Sequence, residues 1–321
     1  MAMKTILLSI ITGISFMLLL VGCSSESINS NSVKVGMLVP ETINEPVWGD
    51  KGYKGLLKIQ SDLGVDVYYK ENIKTIAMAE KAIKEFQEKG VSLVFGHGIE
   101  YGPIFIAFQD KYPDIQFVYF NGDETADNVV SIKFNSHAMG FFGGMVAAKM
   151  SKTNHIGVIA AFEWQPEIQG FVAGAKYEKP DIKVSIDYTY DWAGTDEAIY
   201  YLDELIKERA DVFYPAGDMF NIPIINKVKD QGLYAIGFIS EQSDLGEATV
   251  LTSTIQHVSY VYKDVAEKYM TEKLESGVIL VDFQDGAISM GQFSPEVPED
   301  YQLKLKDMIE HYKLMQQLPN E

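Results

Sequence analysis

Apolar and polar positions alternate along this chain in blocks that predict strand and helix in turn. Val35, Met37, Leu38 and Val39 form a run of the length of a fully buried strand, closed by Pro40. After a polar loop from Glu41 to Pro46, Trp48, Gly52 and Gly55 head a helical pattern that Leu56, Leu57 and Ile59 continue. A second strand alternates over 65–69, and Ala79, Ala82, Ile83 and Phe86 mark one face of a helix over 77–88 that Gly90 stops. A third strand over 91–95 runs into Gly96-His97-Gly98, followed by a helix over 103–112 and strands over 116–120 and 129–134. The alternation then restarts with a glycine- and alanine-rich helix over 136–150. Strands over 155–161, 184–190, 211–214 and 234–239 follow, separated by helices over 168–175, 196–209 and 222–231. Such repetition calls for parallel sheets with right-handed crossovers. Two successive modules of similar size imply two α/β domains that face one another across a ligand cleft.

The first 33 residues break the pattern. Lys4 precedes an apolar segment from Ile6 to Val21, somewhat short of the roughly 20 residues of a membrane span. It ends in Leu20-Val21-Gly22-Cys23, which reads as a bacterial lipoprotein signal over 1–22 with Cys23 as the lipidated residue. An uncleaved anchor and an ordinary signal peptide are the competing readings. Cys23 is the only cysteine of the chain, so no intramolecular disulfide competes for it. Residues 23–33 are rich in Ser and Asn, as a flexible tether is. The location this implies is the extracytoplasmic face of the cell membrane, held through two or three acyl chains.

Of the 321 residues, 47% are hydrophobic and 22% charged, and the net charge of −18 opposes binding through nucleic-acid phosphates. The lysines from Lys304 to Lys313 are interleaved with Asp307 and Glu310, so they make no basic patch. Signatures of hydrolases, P-loops and zinc proteases are absent, and the five histidines lack metal-ligand spacing. No cofactor, no metal and no catalysis are therefore expected. Gly140-Phe141-Phe142-Gly143-Gly144 lies inside a helical pattern and is read as packing.

What remains is a set of aromatic and polar residues at strand ends: Trp48, His97 with Tyr101, Glu163-Trp164-Gln165, Asp191-Trp192, and Asp218 with Phe220 and Asn221. Between two domains they offer stacking faces and directional hydrogen bonds for a flat polar ligand. Each is equally at home as a loop cap or a core residue.

Several segments carry a resemblance: Lys111-Tyr112-Pro113-Asp114-Ile115-Gln116-Phe117, the helix from Gly140 to Lys152 leading into His155-Ile156-Gly157-Val158, and Gln169-Gly170-Phe171-Val172-Ala173-Gly174-Ala175-Lys176. Ala210-Asp211-Val212, Ile236-Gly237 with Glu241-Gln242, and Leu251-Thr252-Ser253 continue it in order. From about Lys34 to Asp285 the chain resembles the basic membrane lipoprotein (BMP) family, the purine-nucleoside-binding lipoproteins of ABC importers. Its opening stretch is similar to the Med-type competence-regulator branch of that family.

The resemblance implies a type I periplasmic-binding-protein fold: two doubly wound parallel-sheet domains, joined by three hinge crossings near Asn135, Ser253 and Leu280. The domains would be 34–134 with 254–280 and 135–253 with 281–293, with a largely helical extension over 294–321. It also implies a ligand site with Trp48 and Trp192 as stacking rings, lined by Asn44, Glu45, His97, Tyr101, Asp218, Phe220 and Gln284. Three positions depart from the family's nucleoside-binding pattern: Gly49 replaces an asparagine, Ile239 a ribose-binding carboxylate and Gln284 a lysine. Two functions follow. One is a lipid-anchored solute-binding protein, non-catalytic, with a small nucleoside-like ligand and an ABC permease as partners. The other is a regulatory lipoprotein that promotes competence gene expression with an altered or lost ligand site. A hydrolase using Glu163 and Asp218 is a third reading, from residue type alone.

Overall fold

The computed structural model describes residues 33–45 and 47–321; the signal segment, Cys23 and the tether up to residue 32 lie outside the described residues. No described helix is long and apolar enough to cross a membrane. One sheet is built from β1 (Lys34–Leu38), β2 (Asp66–Lys70), β3 (Leu93–Gly96), β4 (Gln116–Phe120) and β5 (Val129–Phe134), completed by β11 (Gly277–Val281) from far along the chain. All are parallel, in the order β11-β5-β4-β3-β1-β2. The other contains β6 (His155–Ala160), β7 (Lys183–Tyr188), β8 (Val212–Ala216), β9 (Tyr234–Gly237), β10 (Val250–Gln256) and β12 (Ile288–Met290), in the order β12-β10-β9-β8-β6-β7. Only β12 runs antiparallel to its neighbour. Both sheets thus have the same plan, and in each the last strand at one edge arrives after an excursion through the other.

Local chemistry explains the elements. From Val35 onward β1 is buried, and Gly36 leaves space for the Phe86 ring where a Cβ would collide. Helix α1 (Trp48–Leu63) ends at Gly64, whose φ of 67° is cheap for glycine. Helix α2 (Ile76–Glu88) is capped by Thr75, whose hydroxyl accepts the Met78 N–H, and α3 (Tyr101–Phe108) follows β3. Helix α4 (Ser136–Met150) crosses α5 (Pro166–Glu178) with backbones in contact. A Cβ at Gly140, Gly144, Gly170 or Gly174 would overlap a carbonyl of the facing helix, so these glycines serve helix packing. Helices α6 (Thr195–Lys207) and α7 (Asn221–Asp230) complete the second module. Helix α8 (Val258–Met270) then returns to pack on α1, and α9 (Glu299–Met315) lies on the second half, Tyr301 donating to the Met145 carbonyl at 3.1 Å.

The chain passes between the sheets three times: at Asn135 after β5, at His257 after β10, and over 282–287 between β11 and β12. The crossings expected near Ser253 and Leu280 follow a little further on, because β10 and β11 run to Gln256 and Val281 before the chain turns away. The passages are bonded to one another. The Asn135 side-chain amide donates to Asp282 Oδ2 at 2.7 Å and the Tyr312 hydroxyl at 2.8 Å. Tyr312 donates to the same Asp282 oxygen at 2.6 Å, so α9 closes on the first and third passages together. Gln256 Nε2 donates to Ser136 Oγ at 3.0 Å, and His257 N–H to the Ala287 carbonyl at 2.8 Å.

Candidate functional site

In each sheet the first strand of the module, β1 or β6, lies between the second and the third. The crevice where chain order reverses is therefore flanked by the loops after β1 and β3 in one sheet and after β6 and β8 in the other. Trp48 and His97 meet at the first of these. Their rings stack at 4.3 Å with an interplanar angle of 11°. The bonding is reciprocal: the indole N–H donates to the His97 carbonyl at 3.3 Å, and His97 Nε2–H donates to the Trp48 carbonyl at 2.6 Å. His97 Nδ1 accepts the Tyr262 hydroxyl of α8 at 2.9 Å, which fixes the tautomer. His97 is fully buried, and burial pushes its pKa down to about 4, so the ring is neutral. It stands behind Trp48 as a support, while Trp48 remains half-buried. Gly52 permits this, since a Cβ there would strike the imidazole.

Glu45 holds the start of α1. Its two carboxylate oxygens accept the N–H groups of Val47 at 2.9 Å and Gly49 at 2.5 Å, satisfying donors that a helix leaves free at its first turn. At Gly49 a Cβ would collide with the Thr42 carbonyl and crowd Glu45, so this loop has no space for a longer residue. Asn44 is exposed beside it.

Across the cleft, the loop from Gly217 to Asn221 carries Asp218. Its carboxylate has no hydrogen bond or ion pair among the described residues, and burial, then Glu45, then Glu167 raise its pKa well above the usual carboxylate range. Glu45 and Asp218, from opposite halves, are thus brought within electrostatic reach of one another. The loop is anchored from beneath. Asn221 Nδ2 donates to the carbonyls of Gly217 and Asp218, Gln242 Nε2 donates to Asn221 Oδ1 at 2.6 Å, and the Phe238 N–H donates to Gln242 Oε1 at 2.8 Å. Gln165 ties the neighbouring loop in, donating to Glu167 at 2.9 Å and to the Ala216 carbonyl at 3.1 Å. Trp192 accepts the Met219 N–H on its carbonyl at 3.1 Å, and its ring meets Phe162 and Trp164 edge-on at 5.4 and 5.8 Å.

Two residues expected in the site belong to cores. Tyr101 is fully buried, with its hydroxyl donating to the Ile73 carbonyl at 2.9 Å and its ring stacked on Phe105. Phe220 is fully buried among Leu202, Ile224 and Ile225. In both cases the residue turns its ring inward because it starts a helix that packs on its own sheet. Gln284 is exposed in the third passage, and Glu163 accepts the Tyr190 hydroxyl at 2.8 Å at the surface. Among the described residues no cluster of His, Cys, Asp or Glu is placed to hold a metal ion. Ile239 is buried with φ of 45°, a conformation strained for a β-branched side chain.

One residue escaped sequence reading. Lys51 follows Trp48 by a single turn, and its ammonium donates to the Gln256 carbonyl at 2.9 Å, joining α1 to the second passage. A lysine in a helix's first turn carries no signal that the cleft will bury it.

Comparison with known proteins places this geometry. The chain is 50% identical over 305 residues to the transcriptional activator protein Med of Bacillus subtilis, covering 95% of this chain and 96% of that one. The crystal structure of a transcriptional activator of the comK gene from Bacillus halodurans superposes with a TM-score of 0.84 at 46% identity, covering 89% of this chain and 99% of that one. An ABC transporter solute-binding protein of Conexibacter woesei shares the fold at a TM-score of 0.71 and 20% identity, over 90% of this chain and 99% of that one. The fold is thus the type I periplasmic-binding-protein fold, with two sheet domains joined by three crossings. A model of the Bmp family, described as ABC transporter substrate-binding protein PnrA-like, matches residues 32–320, and the chain belongs to that family.

Proposed function

We propose that this is a lipid-anchored binding protein of the extracytoplasmic membrane face, which takes a small polar ligand into its cleft without chemistry and whose output is control of competence gene expression. The observation that carries the ligand reading is Asp218, a half-buried carboxylate with no hydrogen bond or ion pair among the described residues and within electrostatic reach of Glu45 from the opposite half. Such a group calls for hydrogen-bond donors from a ligand. Trp48, backed by His97, and Trp192 supply rings for stacking a flat, nucleoside-like body. With Gly49, Ile239 and Gln284 where polar sugar contacts would stand, the ligand differs from an ordinary nucleoside. The regulatory output is supported by the 50% identity to a relative named as a transcriptional activator. A net charge of −18 opposes direct DNA contact, so the signal passes through a partner.

The domains that close on the ligand divide at the three passages, and Cys23 carries the lipid. Mass spectrometry of the compound retained through native purification, with thermal shift against nucleosides and bases, tests the cleft. Ligand at a hundredfold its dissociation constant adds about 2.7 kcal/mol. If no compound is retained and none stabilises the protein, the cleft reading is wrong. Import through an ABC permease is the second reading, favoured by the family's description. A deletion strain that loses uptake of the identified compound while competence expression stays unchanged would establish import and reject regulation. Membrane fractionation of a Cys23→Ser variant tests the anchor, with release into the medium expected.

A further inference from the structure

Beside the second passage lies a cavity of about 180 Å³ bounded by α1, by Ser240 of the second half, and by the residues from Ile255 to Ser259. Lys51 lines it. Its ammonium has one described partner, the Gln256 carbonyl at 2.9 Å, and no carboxylate among the described residues lies within 4.0 Å. Asp50, beside it in sequence, is engaged by Lys54 at 2.7 Å. His257 on the far wall bonds Ser289 at 2.8 Å, and burial lowers its pKa, so it adds no charge near neutrality. Counting Asp50, Lys51 and Lys54, the lining carries one net positive charge inside a chain of −18. Ser240 and Ser259 add hydroxyls, and at the start of α8 the N–H groups of Val258 and Ser259 have no acceptor among the described residues, those of Tyr260 and Val261 being taken by the His257 carbonyl. A half-buried ammonium without a counter-charge bears a desolvation cost, which an anion in the cavity would offset.

We infer that this cavity is the subsite for an anionic group of the cleft's ligand, a carboxylate or a phosphate, which Lys51 meets as counter-charge and Ser240 and Ser259 meet as hydrogen-bond donors. The inference rests on the reading that the cleft holds a ligand. The cavity is smaller than the several hundred Å³ that enclose a whole ligand, so it takes a group and leaves the rest of the molecule near Trp48 and Asp218. The ligand is then amphoteric, with donors for Asp218 and Glu45 at one end and an anion for Lys51 at the other. Because Ser240 comes from the opposite half to Lys51, the anion also bridges the two halves.

The test is a thermal-shift titration of the full chain with inorganic phosphate and with acetate, each against sodium chloride at matched ionic strength. Saturable stabilisation beyond the chloride control is expected, and the stronger of the two arms identifies the anion. Lys51→Met should weaken it by about tenfold or more, as expected for loss of a charge-assisted bond. A response equal to chloride, or one undiminished in Lys51→Met, overturns the inference. Should Lys51→Met fail to fold, the Lys51 ammonium is titrated directly by NMR in the wild type. Its pKa must rise on saturation with phosphate or acetate, and an unchanged value overturns the inference. A natively retained compound bound equally by wild type and Lys51→Met would defeat the anion subsite while leaving the cleft reading intact. If nothing stabilises either protein, both fall.

Discussion

Replacing Lys51 by Met should make the ligand-free protein more stable at pH 7 and less stable at pH 10.5. Burial pulls the Lys51 pKa from 10.5 down to about 8, with Asp50 opposing and Lys54 reinforcing the change. Each pKa unit corresponds to about 1.4 kcal/mol, so carrying the charge in the fold costs on the order of 3 kcal/mol. The sign follows from proton counting. Below pH 8 both folded and unfolded chains hold the proton and the fold bears the full cost. Between 8 and 10.5 the unfolded chain holds more protons than the folded one, so stability rises with pH. Above 10.5 the cost is gone. Methionine keeps the apolar stem but loses the bond to the Gln256 carbonyl, worth about 1 kcal/mol. The net expectation is a gain of roughly 2 kcal/mol at pH 7 that shrinks and reverses by about 1 kcal/mol at high pH. Urea unfolding of both proteins across the titration, from pH 7 to about 11, measures it. The difference between them isolates Lys51, because the other groups titrating in this range are common to both. A pH-independent difference, or a less stable variant at pH 7, would refute the account of Lys51 as a desolvated cation.

His97 should titrate near pH 4 by NMR. Because the unfolded ring takes its proton near 6.5, stability contributed by the neutral ring, on the order of 3 kcal/mol, is lost as pH falls from 6.5 to 4; a midpoint near 6.5 would show the ring is not buried as described. Tyr312→Phe removes the donor to Asp282 and should cost about 1.5 to 3 kcal/mol in chemical denaturation, whereas a loss under about 0.5 kcal/mol would mean that α9 does not clamp the passages. Gly144→Ala forces a methyl into the Phe171 carbonyl and should cost about 3 kcal/mol or more. Gly143→Ala, whose methyl would meet the Thr254 methyl at 3.3 Å, should be nearly neutral, and equal thermal shifts in the two would refute the close helix crossing.

The strands and helices of both modules were legible wherever a run of apolar residues matched a strand or a helical face. The helix over Ser136–Met150 is the clearest case, because its glycines are spaced as a packing stripe. The later elements were harder. Strand β10 reads Val-Leu-Thr-Ser-Thr-Ile-Gln, and its polar residues are buried by bonds such as that of Thr254 to the Gly237 carbonyl, which no local pattern announces. Strands β11 and β12 owe their place to partners more than a hundred and about thirty residues away, respectively. In the site, residue type located the loops but not the direction of each side chain. Trp48 and Tyr101 both follow strand ends, yet Tyr101 turns into the core while Trp48 lies on His97. Lys51 was invisible because its burial comes from the opposite half of the molecule.

The strand order also bears on how the chain can acquire its structure when it is delivered from its N-terminus. The first sheet cannot be finished when its first five strands have emerged, because its edge strand β11 and its covering helix α8 come only after the whole second sheet save β12. Until residue 281 arrives, β5 presents a row of unpaired backbone groups, a template for wrong pairing. The half nearest the N-terminus therefore waits the longer of the two for its edge strand, from β5 to β11 against β10 to β12. The stretch of chain most in need of a chaperone during delivery is the one that starts first.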